Sequence, residues 1–136
     1  MNFDVRPTPQ QFRHQLYVGE HSPYFMRRAA RIYLDVWQLV HLAPPVTLAL
    51  TELLTNVHRH VPDRWCVSTV TRTLDGVRIE VYDRSPALPV AMPRAEPLLE
   101  SGRGLVMVEL VTDKWDVITH REGKTVWCEL LDRRNP

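Results

Sequence analysis

The strongest constraint on the fold is a pair of predicted β-hairpins, each with a short polar turn at its centre. Residues 65–74 and 77–83 are rich in β-branched and aromatic side chains, and Asp75-Gly76 between them is a strong hairpin signal. Residues 114–120 and 124–131 repeat the arrangement around Glu122-Gly123. Because apolar and polar residues alternate along such strands, each hairpin has an apolar face that another layer must cover.

Two amphipathic helices are predicted to supply that layer. Ser22-Pro23 is typical of a helix start, and apolar residues follow at helical spacing to about residue 42. Pro44-Pro45 ends this helix and begins a second one that runs to residue 61. With a strand over 12–18 and a short helix over 105–111, the order is β-α-α-β-β-loop-α-β-β. We therefore predict an α+β fold, a two-layer sandwich in which a mixed β-sheet carries helices on one face.

Size and composition predict one globular domain over residues 1–136. The chain is 44% hydrophobic and 24% charged, which is typical of globular proteins, and its formal net charge is only +1. Such a balanced charge argues against direct binding to nucleic acid or to an anionic membrane. The first residues contain no apolar signal core, so we expect a cytoplasmic protein. The two cysteines, Cys66 and Cys128, are far apart in sequence and are expected to be buried thiols.

The second predicted helix carries a polar stripe among apolar neighbours. Glu52, Asn56 and His60 are spaced i, i+4 and i+8, so they share one helix face. A glutamate is a candidate general base, and an asparagine oxygen is a candidate ligand for Mg²⁺. The alternative is an ordinary solvated helix face.

Three further groups are candidate site residues. Asp83 ends a predicted strand, where its carboxylate could accept a hydrogen bond from an exocyclic amine; the alternative is a simple turn. Gly102-Arg103-Gly104 opens a helix, where backbone amides and a guanidinium suit an anion; the alternative is a hinge. Gly123-Lys124-Thr125 looks like the end of a P-loop, but Ile118 occupies the position of that motif's first glycine and a strand follows. Gly123 is therefore interpreted as a hairpin turn, and Thr125 as a candidate pocket residue.

The ordered set of these motifs resembles a known family. The chain has Glu-x-x-x-Asn on a helix, Asp at a strand end, a proline-rich loop, Gly-Arg-Gly-Leu at a helix start and Gly-Lys-Thr in a closing hairpin. This resembles the GHKL (Bergerat-fold) ATP-binding domain of gyrase, Hsp90 and histidine kinases. It is more closely similar to the stand-alone anti-sigma-factor serine kinases that are common in actinobacteria.

The resemblance implies a role for each matching residue. Glu52 matches the general base, and Asn56 matches the Mg²⁺ ligand. His60 matches a histidine that often follows in the anti-sigma branch, and Asp83 matches the acceptor of the adenine amine. The glycine box on the phosphate side and the hydroxyl residue near the adenine are matched by Gly102, Arg103, Gly104 and Thr125.

The resemblance also implies an ATP-binding regulatory protein, an anti-sigma factor with serine-protein kinase activity toward a STAS-type anti-anti-sigma factor. ATP and Mg²⁺ would be its cofactors, a sigma factor and a STAS-domain protein its partners, and the family often forms homodimers. The chain departs from the family at Asp83-Arg84-Ser85-Pro86, where the usual pattern is Asp-x-Gly-x-Gly. The alternative is therefore a degenerate GHKL binding module that regulates a partner by docking, without kinase activity.

Overall fold

The computed structural model describes residues 9–87 and 100–134, and of residues 100–104 only the backbone. These residues form the predicted order of helices and strands. The elements are β1 (Gln11–Tyr17), α1 (Ser22–Val36), a 3-10 turn (Val40–Leu42), α2 (Ala43–His60), β2 (Trp65–Arg72), β3 (Gly76–Asp83), α3 (Glu100–Val111), β4 (Lys114–His120) and β5 (Gly123–Leu131). Within the described residues, no helix is both long and apolar enough to cross a lipid bilayer.

The five strands form one sheet in the order β1-β2-β3-β5-β4, and every neighbouring pair is antiparallel. The predicted two-layer α+β sandwich is confirmed, but the sheet is antiparallel throughout and not mixed. The reason is the position of β5. Strands β3 and β4 run in the same direction, because α3 carries the chain back between them, but β5 lies between them and pairs with both.

Helix α2 is the central element of the helical layer. It packs against α1 on one flank and α3 on the other, and it lies over β3 and β5. Its side chains facing the sheet are almost completely buried, among them Leu50, Leu53 and Leu54. On the sheet, Ile79 and Val81 of β3 are buried on the face that receives them. Each such aliphatic side chain contributes about 1.5–3 kcal/mol by leaving water.

Helix α1 ends earlier than its apolar pattern predicts. The pattern continues to about residue 42, but the helix stops at Val36 and Gln38 adopts a left-handed backbone with φ of 60°. The Leu39 amide then donates to the Leu34 carbonyl at 2.7 Å, which is the closing bond of a Schellman motif. Because glycine usually occupies the left-handed position of this motif, glutamine gives no sequence signal that the helix stops here.

Gly76 and Gly123 are predicted to form hairpin turns, but each is the first residue of a strand and neither has a positive φ. Both are required because another backbone approaches closely. A Cβ at Gly76 would lie 1.9 Å from the Leu130 carbonyl oxygen, and one at Gly123 would lie 2.0 Å from the Asp83 carbonyl oxygen. The two glycines therefore permit β5 to press against β3 at both ends of their ladder.

We expect Gly76→Ala to lower the free energy of unfolding by about 1–3 kcal/mol, since the added methyl group must push β3 and β5 apart. The matched control is Gly19→Ala, where a Cβ would meet only the Ser22 hydroxyl oxygen at 3.9 Å. The control also carries the smaller effect of alanine on the unfolded chain. Urea unfolding followed by circular dichroism measures both. Equal stability of the two variants would contradict the assignment.

Candidate functional site

Three strands place their ends together at one edge of the helical face. Asp83, at the end of β3, pairs with Cys66 near the start of β2 and with Lys124 near the start of β5. Helix α2 ends at His60, and only four residues, 61–64, separate it from the start of β2 at Trp65. The C-terminal end of α2 therefore lies over the same end of the sheet, which we call the Asp83 end.

Helix α3 begins at the Asp83 end as well. Only residues 112 and 113 separate its last turn from β4, and the first residue of β4, Lys114, pairs with Glu129 at the far end of β5. Twelve helical residues span about 18 Å, which is enough to cross the sheet. The first turn of α3, with the backbone of Gly102, Arg103 and Gly104, is therefore at the Asp83 end.

The polar stripe of α2 lies on the flank turned away from α1. Thr51 marks the α1 side, because Arg27 of α1 donates to its hydroxyl oxygen at 3.1 Å. At about 100° per residue, Glu52 and Asn56 lie about 100° and 140° around the helix from Thr51. Both side chains are half-buried, whereas His60 at the helix end is exposed. The structure thus brings Asn56 and His60 to the Asp83 end and leaves Glu52 one turn further in.

Asp83 is buried and belongs to a tight polar cluster. Its Oδ1 accepts hydrogen bonds from the Lys124 ammonium at 2.9 Å and from the Ser85 amide at 2.8 Å. Lys124 Nζ also donates to the Ser85 carbonyl oxygen at 3.1 Å, and its side chain is only 7% exposed. The sequence motifs predict no role for Lys124. The signal for it is the strand alternation, which puts a lysine in line with the buried Val126 and Cys128.

Cys66 and Cys128 are buried and free, as predicted. The pKa of each thiol is raised to about 12, chiefly by burial and, for Cys66, also by the negative charge of nearby Asp83. Both therefore remain protonated at neutral pH and are poor nucleophiles.

Arg84 ties the chain that leaves the site to the α2–β2 connection. Its guanidinium stacks on the Trp65 ring at 4.2 Å and forms an ion pair of 2.8 Å with Asp63. The Trp65 amide, followed by Arg84, holds the pKa of Asp63 below its usual range. Arg84, Trp65 and Asp63 thus form a second, more exposed cluster, which lies next to Asp83 along the chain but on the opposite face of the sheet.

Thr125 is not brought together with Asp83. It pairs with Tyr82, so its side chain lies on the sheet face opposite to Asp83 and Lys124. Its hydroxyl is 2.8 Å from His120 Nε2, and the His120 ring contacts Tyr82. Residues 88–97 of the proline-rich loop and the side chain of Arg103 lie outside the described residues.

No group of three or more His, Cys, Asp or Glu side chains in the described part of the chain could hold a metal ion.

Solved structures with a similar fold include the following two. One contains the RsbU and RsbW domains of Rv1364c from Mycobacterium tuberculosis; it is 22% identical, has a TM-score of 0.68, and the match covers 93% of this chain and 34% of that one. The other is the SiaB–SiaC complex from Pseudomonas aeruginosa, with 14% identity, a TM-score of 0.66 and coverage of 86% and 87%. This chain therefore spans about a third of the Rv1364c structure. A comparison with curated protein sequences gave no match.

A family model described as the histidine kinase-like ATPase domain matches residues 26–130. The match includes α2, β3, the first turn of α3 and the start of β5, which are the elements that meet at the Asp83 end. Since it extends over well more than half of the 136 residues, the chain belongs to the histidine kinase-like ATPase family.

Proposed function

We propose that this protein is an ATP-binding regulator that transfers the γ-phosphoryl group of ATP to a serine of a STAS-type anti-anti-sigma partner and also binds a sigma factor. One observation carries the proposal: the polar stripe of α2, the end of β3 at Asp83 and the first turn of α3 meet at one end of the helical face. Family membership supports ATP as the ligand.

The adenine would bind at Asp83. Within the described residues, both hydrogen bonds to the Asp83 side chain end on Oδ1, so Oδ2 remains for the 6-amino group of the base. A buried carboxylate oxygen discriminates strongly, because a base without the amine leaves it unpaired.

The triphosphate would extend toward the first turn of α3. A helix N-terminus presents amide N–H groups and a partial positive charge, which suit phosphate oxygens. Glycines at 102 and 104 permit close approach of the phosphates, and the guanidinium of Arg103 would add a charge-assisted bond.

Asn56 fits the expected Mg²⁺ ligand. Its amide is half-buried at the Asp83 end, and the described residues offer no competing metal cluster. Mg²⁺ commonly has one or two protein oxygen ligands and takes the rest from phosphates and water. When bound, the ion would neutralise phosphate charge during transfer.

Glu52 would act on the acceptor. The serine oxygen attacks the γ-phosphorus, the bond to the bridging β–γ oxygen breaks and ADP leaves, while the serine proton passes to the Glu52 carboxylate. His60, exposed at the end of the same stripe, would line the entrance for the acceptor.

Partner binding is supported by the similar structures: one is a complex of two proteins, and the other joins an RsbW domain to an RsbU domain. Those arrangements belong to the similar proteins, and the STAS partner, the sigma factor and a homodimer are proposed for this chain by analogy.

A second candidate function is a binding module without kinase activity. The observation that favours it is the Asp83–Lys124 ion pair, which already occupies one oxygen of the expected adenine acceptor. Equilibrium binding of Mg-ATP is the first test, because the kinase requires it. We expect the wild type to bind and Asp83→Ala to bind at least 10-fold more weakly, since it loses a charge-assisted hydrogen bond. Calorimetry measures both, with the folded state checked by circular dichroism. A wild type that binds no Mg-ATP would remove the kinase proposal.

We expect Glu52→Ala to abolish phosphoryl transfer while leaving ATP affinity within about 3-fold, because the proposed base acts on the acceptor and not on the nucleotide. The control is Glu109→Ala, the same change at an exposed position of α3. Transfer from labelled ATP to a purified STAS-domain protein is the assay. Transfer by Glu52→Ala at the wild-type rate would show that the base is another residue.

For Asn56→Ala we expect loss of the Mg²⁺-dependent part of ATP affinity, with little change in affinity measured in EDTA. The physical reason is that only the metal-bound nucleotide uses the Asn56 amide oxygen. Titrations with and without Mg²⁺ give the difference, and Thr55→Ala, half-buried on the same helix, is the control. An unchanged Mg²⁺ dependence would move the metal ligand elsewhere.

A further inference from the structure

Lys124 is the charged group of the site that the proposed function leaves without a role. Its ammonium is buried, and burying a charge is costly unless it is paired. A lysine ammonium has three N–H donors. Within the described residues two of them are used, by Asp83 Oδ1 and by the Ser85 carbonyl oxygen. The remaining donor lies beside the carboxylate that is the candidate base acceptor.

We propose that Lys124 reads the base directly, by donating a hydrogen bond to ring nitrogen N1 of adenine while Asp83 accepts one from the 6-amino group. This inference rests on the proposed nucleotide site. Adenine carries an amino donor next to a ring-nitrogen acceptor on one edge. The Lys124 ammonium lies 2.9 Å from Asp83 Oδ1, so the donor stands beside the carboxylate whose other oxygen, Oδ2, would accept from the amine. Two adjacent bonds fix the base in its plane, which one carboxylate does not.

The backbone holds the lysine in place for this role. Gly123, just before it, is pressed so closely on the Asp83 carbonyl oxygen that a Cβ there would lie at 2.0 Å. The register then sets Lys124 directly opposite Asp83. The ammonium is further held by Ser85, which bonds to both partners through its amide and carbonyl groups. A donor that is fixed before binding loses little entropy when it meets the base.

Two ATP analogues test the inference atom by atom. 1-Deaza-ATP replaces N1 with C–H and retains the 6-amino group, whereas purine riboside triphosphate retains N1 and lacks the amine. We expect the wild type to bind 1-deaza-ATP about 10-fold or more weakly than ATP, as for loss of a charge-assisted bond. In Lys124→Met we expect ATP affinity to fall and the preference for ATP over 1-deaza-ATP to disappear. Purine riboside triphosphate should bind more weakly than ATP to both the wild type and Lys124→Met, because it lacks the amine that Asp83 would bind.

The control is Lys114→Met, the same change at an exposed position at the opposite end of the sheet, which should keep the full preference for ATP. If Lys124 had only a structural role, Lys124→Met would weaken the binding of ATP and of 1-deaza-ATP equally. A preference for ATP over 1-deaza-ATP that is retained in Lys124→Met therefore overturns the inference. Tighter ATP binding by Lys124→Met would also overturn it, because the ammonium would then be occupying the base site.

If Lys124→Met does not fold, the wild-type comparison decides: equal affinity for ATP and 1-deaza-ATP rejects the N1 contact. If the wild type binds ATP and 1-deaza-ATP equally, the proposed function stands without the N1 contact. If the wild type binds no ATP, both the proposed function and this inference are rejected.

Discussion

The burial of α2 is the constraint on which the rest of this structure depends. The helix is covered by the sheet below and by α1 and α3 on its flanks, and seven of its residues are buried. A helix in this position has only a narrow strip on which polar side chains can meet a ligand. Glu52 and Asn56 occupy that strip because the neighbouring Leu53 and Val57 occupy the core. The core packing therefore decides where the chemistry of this helix can be.

The Asp83–Lys124 ion pair is the second organising interaction, and it joins residues 41 positions apart in the chain. A buried ion pair seldom stabilises a fold by itself, because desolvation of both charges offsets much of their attraction. Here each ion has a further hydrogen bond to the backbone of Ser85. The pair therefore orders the turn that leaves β3, at a place where the related family usually has glycines. Removing either partner would leave the other charge buried and uncompensated.

Local signals explain why so much of the fold could be predicted. The alternation in β3 and the helical spacing in α2 are patterns among residues close together in sequence. Such local patterns predict the correct order and type of the helices and strands. The end of α1 could not be predicted, because Gln38 adopts a left-handed backbone without the usual glycine. The antiparallel sheet depends on the insertion of β5 between β3 and β4, which is a long-range choice. Lys124 is recognisable only once the register places it opposite Asp83.

The structure also explains how the site keeps its shape where the chain leaves the sheet. Consecutive residues of a strand point to opposite faces, so Asp83 and Arg84 are directed to opposite sides. Asp83 and Ser85 are held on the helical face by Lys124, and Arg84 is held on the outer face by Trp65 and Asp63. The turn is thus fixed from both faces by groups on β5, β2 and the α2–β2 connection. A change in any of these three elements would shift the Asp83 carboxylate even if the changed residue does not contact it, because all three elements hold the same turn.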